Sequence, residues 1–387
     1  MKILLLDYAG HIPQADLAKK LAKVGNKVLH IRCSDYLTGN ASFTVAEDIS
    51  ELLEFRAISA GISFNRYNPF LRISHEIQLA KRFDRAIRSF NPDYLITSNV
   101  PLLCSYLITR KLVKRNTPFI FWWQDVYSVA INTKIREITK SLPLNSLAKI
   151  ISSLEKFIAE SAFHVVAISD NFLPLYRKWD LPADKFTTLP NWTPPEDFDE
   201  IPHDHIEADN YVLYAGTLGM KHNPKLLSHL AFQLQLNKID EKVIVISQGL
   251  GREYLESLNP KPTNLVLKDF VPIAELQSYL SGADIALAIL EPSASEYSVP
   301  SKIMTYLAAG KAIVAAISRS NPAAQYIQSS ESGLVVDPVD EEAFSSSVIL
   351  LLENQELRST MQINARQFAL ENFDGKKAAE IFIRLMQ

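Results

Sequence analysis

Two turns that contain a lysine, the first of them also rich in glycine, carry the residue types needed to bind a phosphate group. The first follows the apolar stretch Tyr211–Ala215 and reads Gly216-Thr217-Leu218-Gly219-Met220-Lys221. Glycine lets a backbone approach a ligand closely, and free N–H groups at the start of a helix favour an anion. Lys221 can add a charge-assisted hydrogen bond worth about 1.5–3 kcal/mol. The pattern indicates a phosphate site, although a plain strand-to-helix turn with a surface lysine has the same composition.

The second turn follows an apolar stretch that ends near Leu290. It reads Ser298-Val299-Pro300-Ser301-Lys302, and Gly310 ends the helix that it opens. Backbone N–H groups at the start of that helix can face a ligand. A lysine in the first turn opposes the helix dipole, which is easier to understand if Lys302 contacts an anion or a ribose. A capped helix with a solvated lysine is the alternative interpretation.

In the first half of the chain, polar and aromatic residues stand where predicted strands end. The run Trp122-Trp123-Gln124-Asp125 closes one strand, and His11 lies in the loop after the first strand. Ligands of open α/β sheets bind beyond the carboxyl ends of the strands. Asp125 and His11 are therefore candidate ligand contacts, and Trp123 offers a flat ring for stacking. The competing interpretation is a helix-capping aspartate beside core aromatics, with a structural histidine.

Strands that alternate with helices must position these turns. Strands are predicted at Lys2–Leu6, Lys27–Ile31, Tyr94–Thr97, Pro118–Trp122, His164–Ala167, Tyr211–Ala215, Lys242–Ser247, Leu265–Leu267, Ile285–Ile289, Ala312–Ala315 and Gly333–Val336. Helices between successive strands mean parallel pairing and doubly wound sheets. The sequence therefore predicts an α/β protein.

The domain organisation is read from a change of composition in the middle of the chain. Residues 191–210 are rich in proline and acid and show no helical or strand period, which is typical of a linker. We expect two Rossmann-like domains, at residues 1–190 and 211–372, that face each other across a cleft. A helix at residues 373–387 is expected to pack back on the N-terminal domain.

Composition limits the class of protein. The chain has 387 residues, 47% of them apolar and 21% charged, which excludes a disordered or fibrous chain. Cys33 and Cys104 are too few for a disulfide framework or a zinc site, so a reducing cytoplasm is the expected compartment. The apolar run at the N-terminus is broken by Asp7, and no stretch approaches the roughly 20 apolar residues that span a bilayer.

Charge is unevenly distributed. Residues 1–190 hold 25 Lys and Arg against 17 Asp and Glu, a balance of +8, whereas residues 191–387 hold 15 against 26, a balance of -11. The basic half suits an anionic membrane face or a phosphorylated acceptor better than nucleic acid, for which no basic-aromatic motif is present. The alternative interpretation is that the difference in charge between the two halves arose by chance. Residues 56–88 mix basic and apolar side chains, which suits either an interfacial segment on an anionic membrane or a solvated helix face.

The two turns resemble motifs of one enzyme family. The run from Ser298 to Lys311 resembles the donor-site helix of the family 4 retaining glycosyltransferases, most closely the bacterial branch that builds capsular, colanic-acid and O-antigen polysaccharides. The run from Tyr214 to Lys221 is similar to that family's glycine loop and phosphate-binding lysine. Val271-Pro272 and the following helix look like its base-binding loop, and Leu189-Pro190-Asn191-Trp192 resembles the end of its N-terminal domain. These segments stand in family order, which implies the GT-B fold.

The resemblance implies transfer of a sugar from a nucleotide-sugar with retention of configuration, and a UDP-sugar is the favoured donor. Lys221 and Arg252 would bind the leaving diphosphate, without a metal or other cofactor, Asp125 would orient the acceptor hydroxyl or the donor sugar, and Glu296 would contact the sugar. The implied donor contacts are Gly216, Thr217, Leu218, Gly219, Phe270, Val271, Ser298, Val299, Pro300, Ser301, Lys302 and Thr305. The implied acceptor contacts are His11 and Trp123.

The chain departs from the wider family at one motif. The family carries two acids eight positions apart, and these positions hold Tyr297 and Thr305 here, with Glu296 beside the first. Thr305 therefore stands where the family places a carboxylate at the ribose.

The leading hypothesis is a cytoplasmic glycosyltransferase of cell-surface polysaccharide synthesis, peripheral on the inner membrane, with a saccharide or polyprenyl-diphosphate-linked acceptor. One alternative is a GT-B sugar-nucleotide epimerase, which needs acid and base residues and no acceptor. Another is a non-catalytic nucleotide-sugar-binding partner of a second transferase, for which Thr305 is the supporting feature.

Overall fold

The chain folds into two α/β units. The computed structural model describes residues 1–35, 41–62, 68–129, 142–199, 210–219, 222–292 and 299–387. Contacts divide these residues into one unit of Met1–Pro190 with Gly375–Gln387 and a second of Asn191–Asp374.

The first unit is built on a parallel sheet of seven strands. The strands are β1 (Lys2–Asp7), β2 (Lys27–Cys33), β3 (Leu53–Ile58), β4 (Tyr94–Ser98), β5 (Phe119–Trp123), β6 (His164–Ala167) and β7 (Phe186–Thr188). Their order across the sheet is β3-β2-β1-β4-β5-β6-β7, and all neighbours are parallel. The helices between them are α1 (Ile12–Lys23), α2 (Pro69–Phe90), α3 (Leu102–Lys114), α4 (Leu142–Ser161) and α5 (Leu173–Lys178).

The second unit repeats this plan with six strands. They are β8 (Tyr211–Ala215), β9 (Lys242–Ile246), β10 (Leu265–Lys268), β11 (Ile285–Ile289), β12 (Ala312–Ala316) and β13 (Gly333–Val336), in the order β10-β9-β8-β11-β12-β13. All neighbours are again parallel. The helices are α6 (Lys225–Leu236), α7 (Leu250–Glu256), α8 (Ile273–Gly282), α9 (Lys302–Ala308), α10 (Pro322–Ser329), α11 (Glu341–Glu353) and α12 (Gln355–Asn372).

The central strands are apolar along their whole length. Strands β8, β11 and β12 are buried at every residue. A parallel sheet that helices cover on both faces has no solvent-facing side, so its strands do not alternate between apolar and polar residues. These continuous apolar runs are the reason that the strands could be predicted from the sequence.

Each sheet contains a point at which the strand order reverses. In the first sheet β1 pairs with both β2 and β4, and in the second β8 pairs with both β9 and β11. The loops that follow the two strands at such a point diverge to opposite faces of the sheet, and the space between them is where open α/β sheets bind ligands. The loops after β1 and β4, and those after β8 and β11, are therefore the places where candidate site residues are expected.

The chain returns to the first unit at its C-terminal end. Helix α13 (Gly375–Leu385) belongs to the unit of β1 and α1, and the rings of Trp122 and Phe382 lie 5.1 Å apart between centroids.

The segment predicted as a linker divides into two parts. Residues 191–199 belong to the second unit: they include a 3-10 helix at Pro195–Phe198, and Gln277 Nε2 donates a hydrogen bond of 2.9 Å to the Asp197 carbonyl. Residues 200–209 lie outside the described part of the chain.

Helix α2 carries exposed apolar residues near its start. Phe70 is 81% exposed, Leu71 43% and Ile73 48%, beside the half-exposed Arg72. Arg66 and Tyr67, which the sequence analysis grouped with them, lie outside the described residues. Within the ranges given above, no helix is long and apolar enough to cross a bilayer.

Candidate active site

Two backbone hydrogen bonds join the glycine loop after β8 to the end of β9 and to the start of α7. The Gly216 N–H donates to the Ile246 carbonyl at 2.9 Å, and the Gly251 N–H donates to the Leu218 carbonyl at 2.8 Å. Gly216 has a φ of +131°, which side-chain-bearing residues rarely adopt. Thr217 and Gly219 are half-buried and Leu218 is fully buried, whereas Lys221 lies outside the described residues.

The side chain of Lys302, at the start of α9, lies next to Gly216 of this glycine loop. A Cβ atom placed on Gly216 would be 3.1 Å from the Lys302 Nζ, closer than most Cβ contacts in proteins, so a side chain at this position would crowd the amine. The same Nζ lies 3.6 Å from the centroid of the Tyr214 ring, a cation–π distance. The loop after β11 thus places the Lys302 amine at the end of β8, where the strand order reverses.

The Lys302 amine is buried and, among the residues that the structure describes, has no hydrogen-bond partner. Burial lowers its pKa from 10.5 to about 7. Lys311, a second buried lysine of the same motif, instead donates to the carbonyls of Ser281 and Ala283 at 2.6 and 3.1 Å. A buried ammonium group without an acceptor attracts an anion, because low polarity strengthens the interaction of charges.

Two tyrosines support this arrangement. The Tyr214 hydroxyl donates to the Thr217 carbonyl at 3.0 Å, and the Tyr306 hydroxyl accepts from the Ala215 N–H at 3.1 Å. Burial raises the pKa of both phenols, so both stay neutral hydrogen-bonding groups. Sequence reasoning missed both residues, because a tyrosine in a buried strand or helix has the pattern of an ordinary core residue.

Arg252 is engaged in contacts within the unit. Its guanidinium donates to the carbonyl of Lys268 at 2.6 Å and of Ser247 at 3.4 Å, at the carboxyl ends of β10 and β9. It also forms an ion pair with Glu256 at 2.8 Å. The side chain is 13% exposed, so it is largely buried at this end of the sheet.

The other predicted donor contacts lie on neighbouring loops. Phe270, 38% exposed, and the half-buried Val271 follow β10. Ahead of α9, Val299 and Pro300 are half-buried and Ser301 is exposed. The Thr305 hydroxyl lies 3.2 Å from that of Thr193. Glu296 and Ser298 lie outside the described residues.

In the first unit, His11 is held by a buried carboxylate. Asp7, the last residue of β1, is fully buried, and its Oδ1 lies 3.3 Å from the His11 Nδ1 while its Oδ2 accepts the His11 N–H at 2.8 Å. The His11 Nδ1 is also 3.1 Å from the Nδ2 of Asn99, which follows β4 with a φ of +54°. His11 and Asn99 thus meet where the first sheet reverses its order.

Charge around His11 favours its protonated form. Burial opposes that form, but the hydrogen bond and charge of Asp7, with a smaller contribution from Asp125, raise the pKa of His11 above its usual 6.5. Burial alone would raise the pKa of Asp7, and its contacts with His11 and His30 lower it instead. Asp7 was not among the predicted residues, because a lone acid at a strand end has no distinctive sequence pattern.

A small pocket, with room for about one water molecule, opens beside Asn99. Its wall includes Asn99, Ser105, Gln124, Asp125 and Tyr127. Asp125 is half-buried, so a carboxylate and an amide both line the pocket. Asp125 therefore lies at a small pocket together with other polar groups.

The structure corrects the expectation for Trp123. Its side chain is fully buried, stacks on Trp179 at 5.3 Å between centroids and packs edge-on against Phe172. Its Nε1 donates to the buried Glu155 at 3.1 Å. The ring is part of the core and has no face open for a sugar.

Two family models match the chain in succession. The model described as Glycosyltransferase Family 4 matches residues 15–197, and the model described as Glycosyl transferases group 1 matches residues 196–368. The second match contains Gly216 and Lys302, and the first contains Asn99 and Asp125. No curated protein sequence matches the chain significantly.

Solved structures resemble the chain over nearly its whole length. Sucrose-phosphate synthase from Thermosynechococcus elongatus has a TM-score of 0.72 at 16% identity, covering 100% of this chain and 98% of that one. WaaG, a glycosyltransferase involved in lipopolysaccharide biosynthesis, has a TM-score of 0.68 at 15% identity, covering 98% and 99%. HepE from Anabaena, in complex with UDP and glucose, has a TM-score of 0.69 at 14% identity, covering 99% and 98%. At these identities the likeness shows the fold.

Proposed function

Since this chain is a GT-B glycosyltransferase of the group 1 and family 4 type, we propose that it transfers a hexose from a UDP-sugar to a saccharide or polyprenyl-diphosphate-linked saccharide. Retention of the anomeric configuration is part of the proposal. The residues assigned to the donor are those of the second unit, and the residues assigned to the acceptor are His11 and Asp125 of the first.

The observation that carries the proposal is the position of Lys302. Its buried Nζ lies beside Gly216 at the carboxyl end of β8 and has no hydrogen-bond acceptor among the described residues. Negative charge develops on the departing diphosphate during glycosyl transfer, and a preorganised cation stabilises that charge in the transition state. Lys302 supplies such a cation, with Lys221 as the proposed second one.

This assignment needs no metal ion at the diphosphate. Two lysines and the backbone N–H groups of the glycine loop take the role that a divalent cation has in other transferases. We expect the rate of transfer to be unchanged by added Mg²⁺ or Mn²⁺. A strong dependence on either ion would contradict this part of the proposal.

Support for a UDP-sugar comes from the similar fold of HepE, whose structure holds UDP and glucose. Support for cell-surface polysaccharide synthesis comes from WaaG, an enzyme of lipopolysaccharide biosynthesis with the same fold. The exposed Phe70, Leu71 and Ile73 beside Arg72 support an interfacial segment on an anionic membrane. Co-sedimentation with anionic vesicles, lost in Phe70→Asp, tests that attachment.

The first experiment is a thermal-shift panel of UDP, GDP, dTDP and ADP. A ligand at 100 times its dissociation constant stabilises the fold by about 2.7 kcal/mol. We expect a shift with UDP that is lost in Lys221→Ala and kept in Lys225→Ala, which removes an exposed lysine just beyond the same loop. No shift with any nucleotide would refute the donor-site assignment.

The second experiment separates transfer from the alternatives. A transferase releases UDP in proportion to added acceptor, whereas an epimerase interconverts UDP-sugars without acceptor, and a binding partner does neither. The anomeric coupling constant of the product, measured by NMR, then distinguishes retention from inversion.

A further inference from the structure

Three side chains with metal-binding atoms meet at the carboxyl end of β2 in the first sheet. Cys33 is the last residue of β2, Asp35 follows it by two positions, and His75 lies on α2. The cysteine sulfur, a carboxylate oxygen and an imidazole nitrogen all lie within 4.8 Å of one another. The fold thus brings together three ligand types from two elements that are distant in the sequence.

The three atoms are chemically suited to a zinc-type ion. Thiolate, imidazole and carboxylate are the protein ligands of Zn²⁺, at bond lengths of about 2.0–2.3 Å. Tetrahedral coordination at those lengths puts neighbouring ligand atoms about 3.3–3.7 Å apart. His75 Nε2 and Asp35 Oδ2 are 3.0 Å apart, so small side-chain movements suffice to accommodate an ion.

The environment holds these ligands in place. Cys33 is fully buried, the His75 side chain has no exposed surface, and the Asp35 side chain keeps 16% of its surface exposed. The Asp35 Oδ2 also accepts a hydrogen bond of 2.6 Å from the backbone N–H of Ala60, a residue that follows β3. Metal-binding carboxylates are commonly oriented by such outer hydrogen bonds. Because Asp35 is the one of the three ligands that is partly exposed, an ion can reach the two buried ligands from solvent past its side chain.

We propose that Cys33, Asp35 and His75 bind a divalent transition metal of the zinc type, with a solvent molecule as the fourth ligand. On binding, the Cys33 thiol releases its proton to solvent, and the ion replaces the hydrogen-bonded contact between Asp35 and His75. The ion ties the loop after β2 to α2. The site is separate from the residues assigned to the donor, and its role is structural.

The test is a titration of the full chain with Co²⁺, which reports thiolate coordination by a charge-transfer band in the near ultraviolet. We expect the band in the natural protein and its loss in Cys33→Ser. Cys104→Ser is the matched control, because Cys104 is the other buried cysteine and is not one of the three ligands. It should keep the band, while His75→Gln should weaken Co²⁺ binding at least about 10-fold, since even the loss of an outer-shell partner typically costs 10–100-fold in metal affinity.

Zn²⁺ competition and metal analysis of the purified chain complete the test. Zn²⁺ should displace Co²⁺ stoichiometrically and raise the Tm of the natural protein but not that of Asp35→Asn, a variant that keeps the size of the side chain. Absence of the band in the natural protein, or its persistence in Cys33→Ser, would overturn the proposal. Either result leaves nucleotide binding in the second unit unaffected, so the two proposals fail independently.

Discussion

The Nδ1 of His11 lies 3.3 Å from the Oδ1 of Asp7, a fully buried carboxylate at the end of the first strand. The contact engages Nδ1 and leaves Nε2 for ligand chemistry. A buried carboxylate behind a histidine orients the ring and stabilises its charged form. His11 is therefore suited to bind an anionic or hydroxyl group of an acceptor.

We expect His11 to titrate above its usual pKa of 6.5, because Asp7 stabilises the imidazolium. NMR titration should show this, and Asp7→Asn should lower the pKa of His11. His30 serves as an internal control, since burial lowers its pKa to about 4 and keeps it neutral in the same range. A His11 pKa at or below 6.5 in the natural protein would contradict the prediction.

The same contact affects stability in a defined pH window. Because folding raises the pKa of His11, its contribution to the free energy of unfolding is complete below pH 6.5 and declines as the pH rises through the raised value. Asp7→Asn should remove that decline. Urea unfolding of both proteins between pH 6 and 8 measures the difference.

Lys302 should make the protein more stable as the pH rises above 7. Folding lowers its pKa from 10.5 to about 7, so between these values the unfolded chain binds the extra proton. Stability then rises with pH by at most about 1.4 kcal/mol per unit. Lys302→Met should be more stable at pH 7 and should lack this rise.

The comparison is best made between pH 7 and 8. Burial also lowers the pKa of Lys311, to about 8, so above pH 8 this residue adds a rise of similar size. Lys225→Met, which changes an exposed lysine, should keep the pH dependence of the natural protein. Equal slopes for Lys302→Met and the natural protein would rule out a buried, titrating amine.

Binding of UDP should be accompanied by proton uptake. At pH 8 the Lys302 amine is mainly neutral, and a diphosphate beside it favours the ammonium form. Calorimetric titration in two buffers of different ionisation enthalpy should report uptake of up to one proton. Lys302→Met should bind UDP more weakly and without that uptake, and an unchanged proton count would place the diphosphate elsewhere.

Gly216→Ala should lose both stability and UDP affinity. The φ of +131° strains any side-chain-bearing residue, and the added Cβ would be 3.1 Å from the Lys302 amine. Such backbone strain costs about 1–3 kcal/mol. Gly219→Ala is the matched control for stability, because its Cβ would meet only a Thr217 methyl group at an ordinary 3.6 Å.

Arg252→Ala should destabilise the second unit by about 1.5–3 kcal/mol, because two strand-end carbonyls lose a charged donor. Glu256→Gln breaks only the exposed ion pair and should cost less than about 1 kcal/mol. Chemical unfolding measures both. If the two variants lose the same small amount, the contacts with Ser247 and Lys268 are not structural.

Much of the architecture could be predicted from the sequence, because buried parallel strands read as uninterrupted apolar runs. The strands that escaped prediction are β3 and β7, at the two edges of the first sheet. The residues of β3 are of mixed polarity, and β7 has only three residues, all half-buried. These two strands carry little apolar signal, so neither stood out, whereas the apolar edge strands β10 and β13 of the second sheet could be predicted.

Side-chain direction was harder to predict. Trp123 was assigned to the acceptor because it stands at a strand end, yet its ring packs against Trp179 in the core. Lys302 contacts Tyr214, and the Cys33 sulfur lies within 4.8 Å of a His75 nitrogen, although the residues of each pair are far apart in the sequence. Counting cysteines alone argues against a zinc site. The proposed metal site rests instead on the fold, which shows that one histidine and one acid lie near Cys33.

The return of α13 to the first unit has a consequence for biosynthesis. Residues 1–190 leave the ribosome long before residues 375–387, which complete their packing through Phe382 against Trp122. The second unit, residues 191–374, is contiguous and has no such dependence. The half of the protein that is translated first is therefore the half that finishes folding last, and until then it exposes the apolar surface that α13 covers to chaperones and proteases.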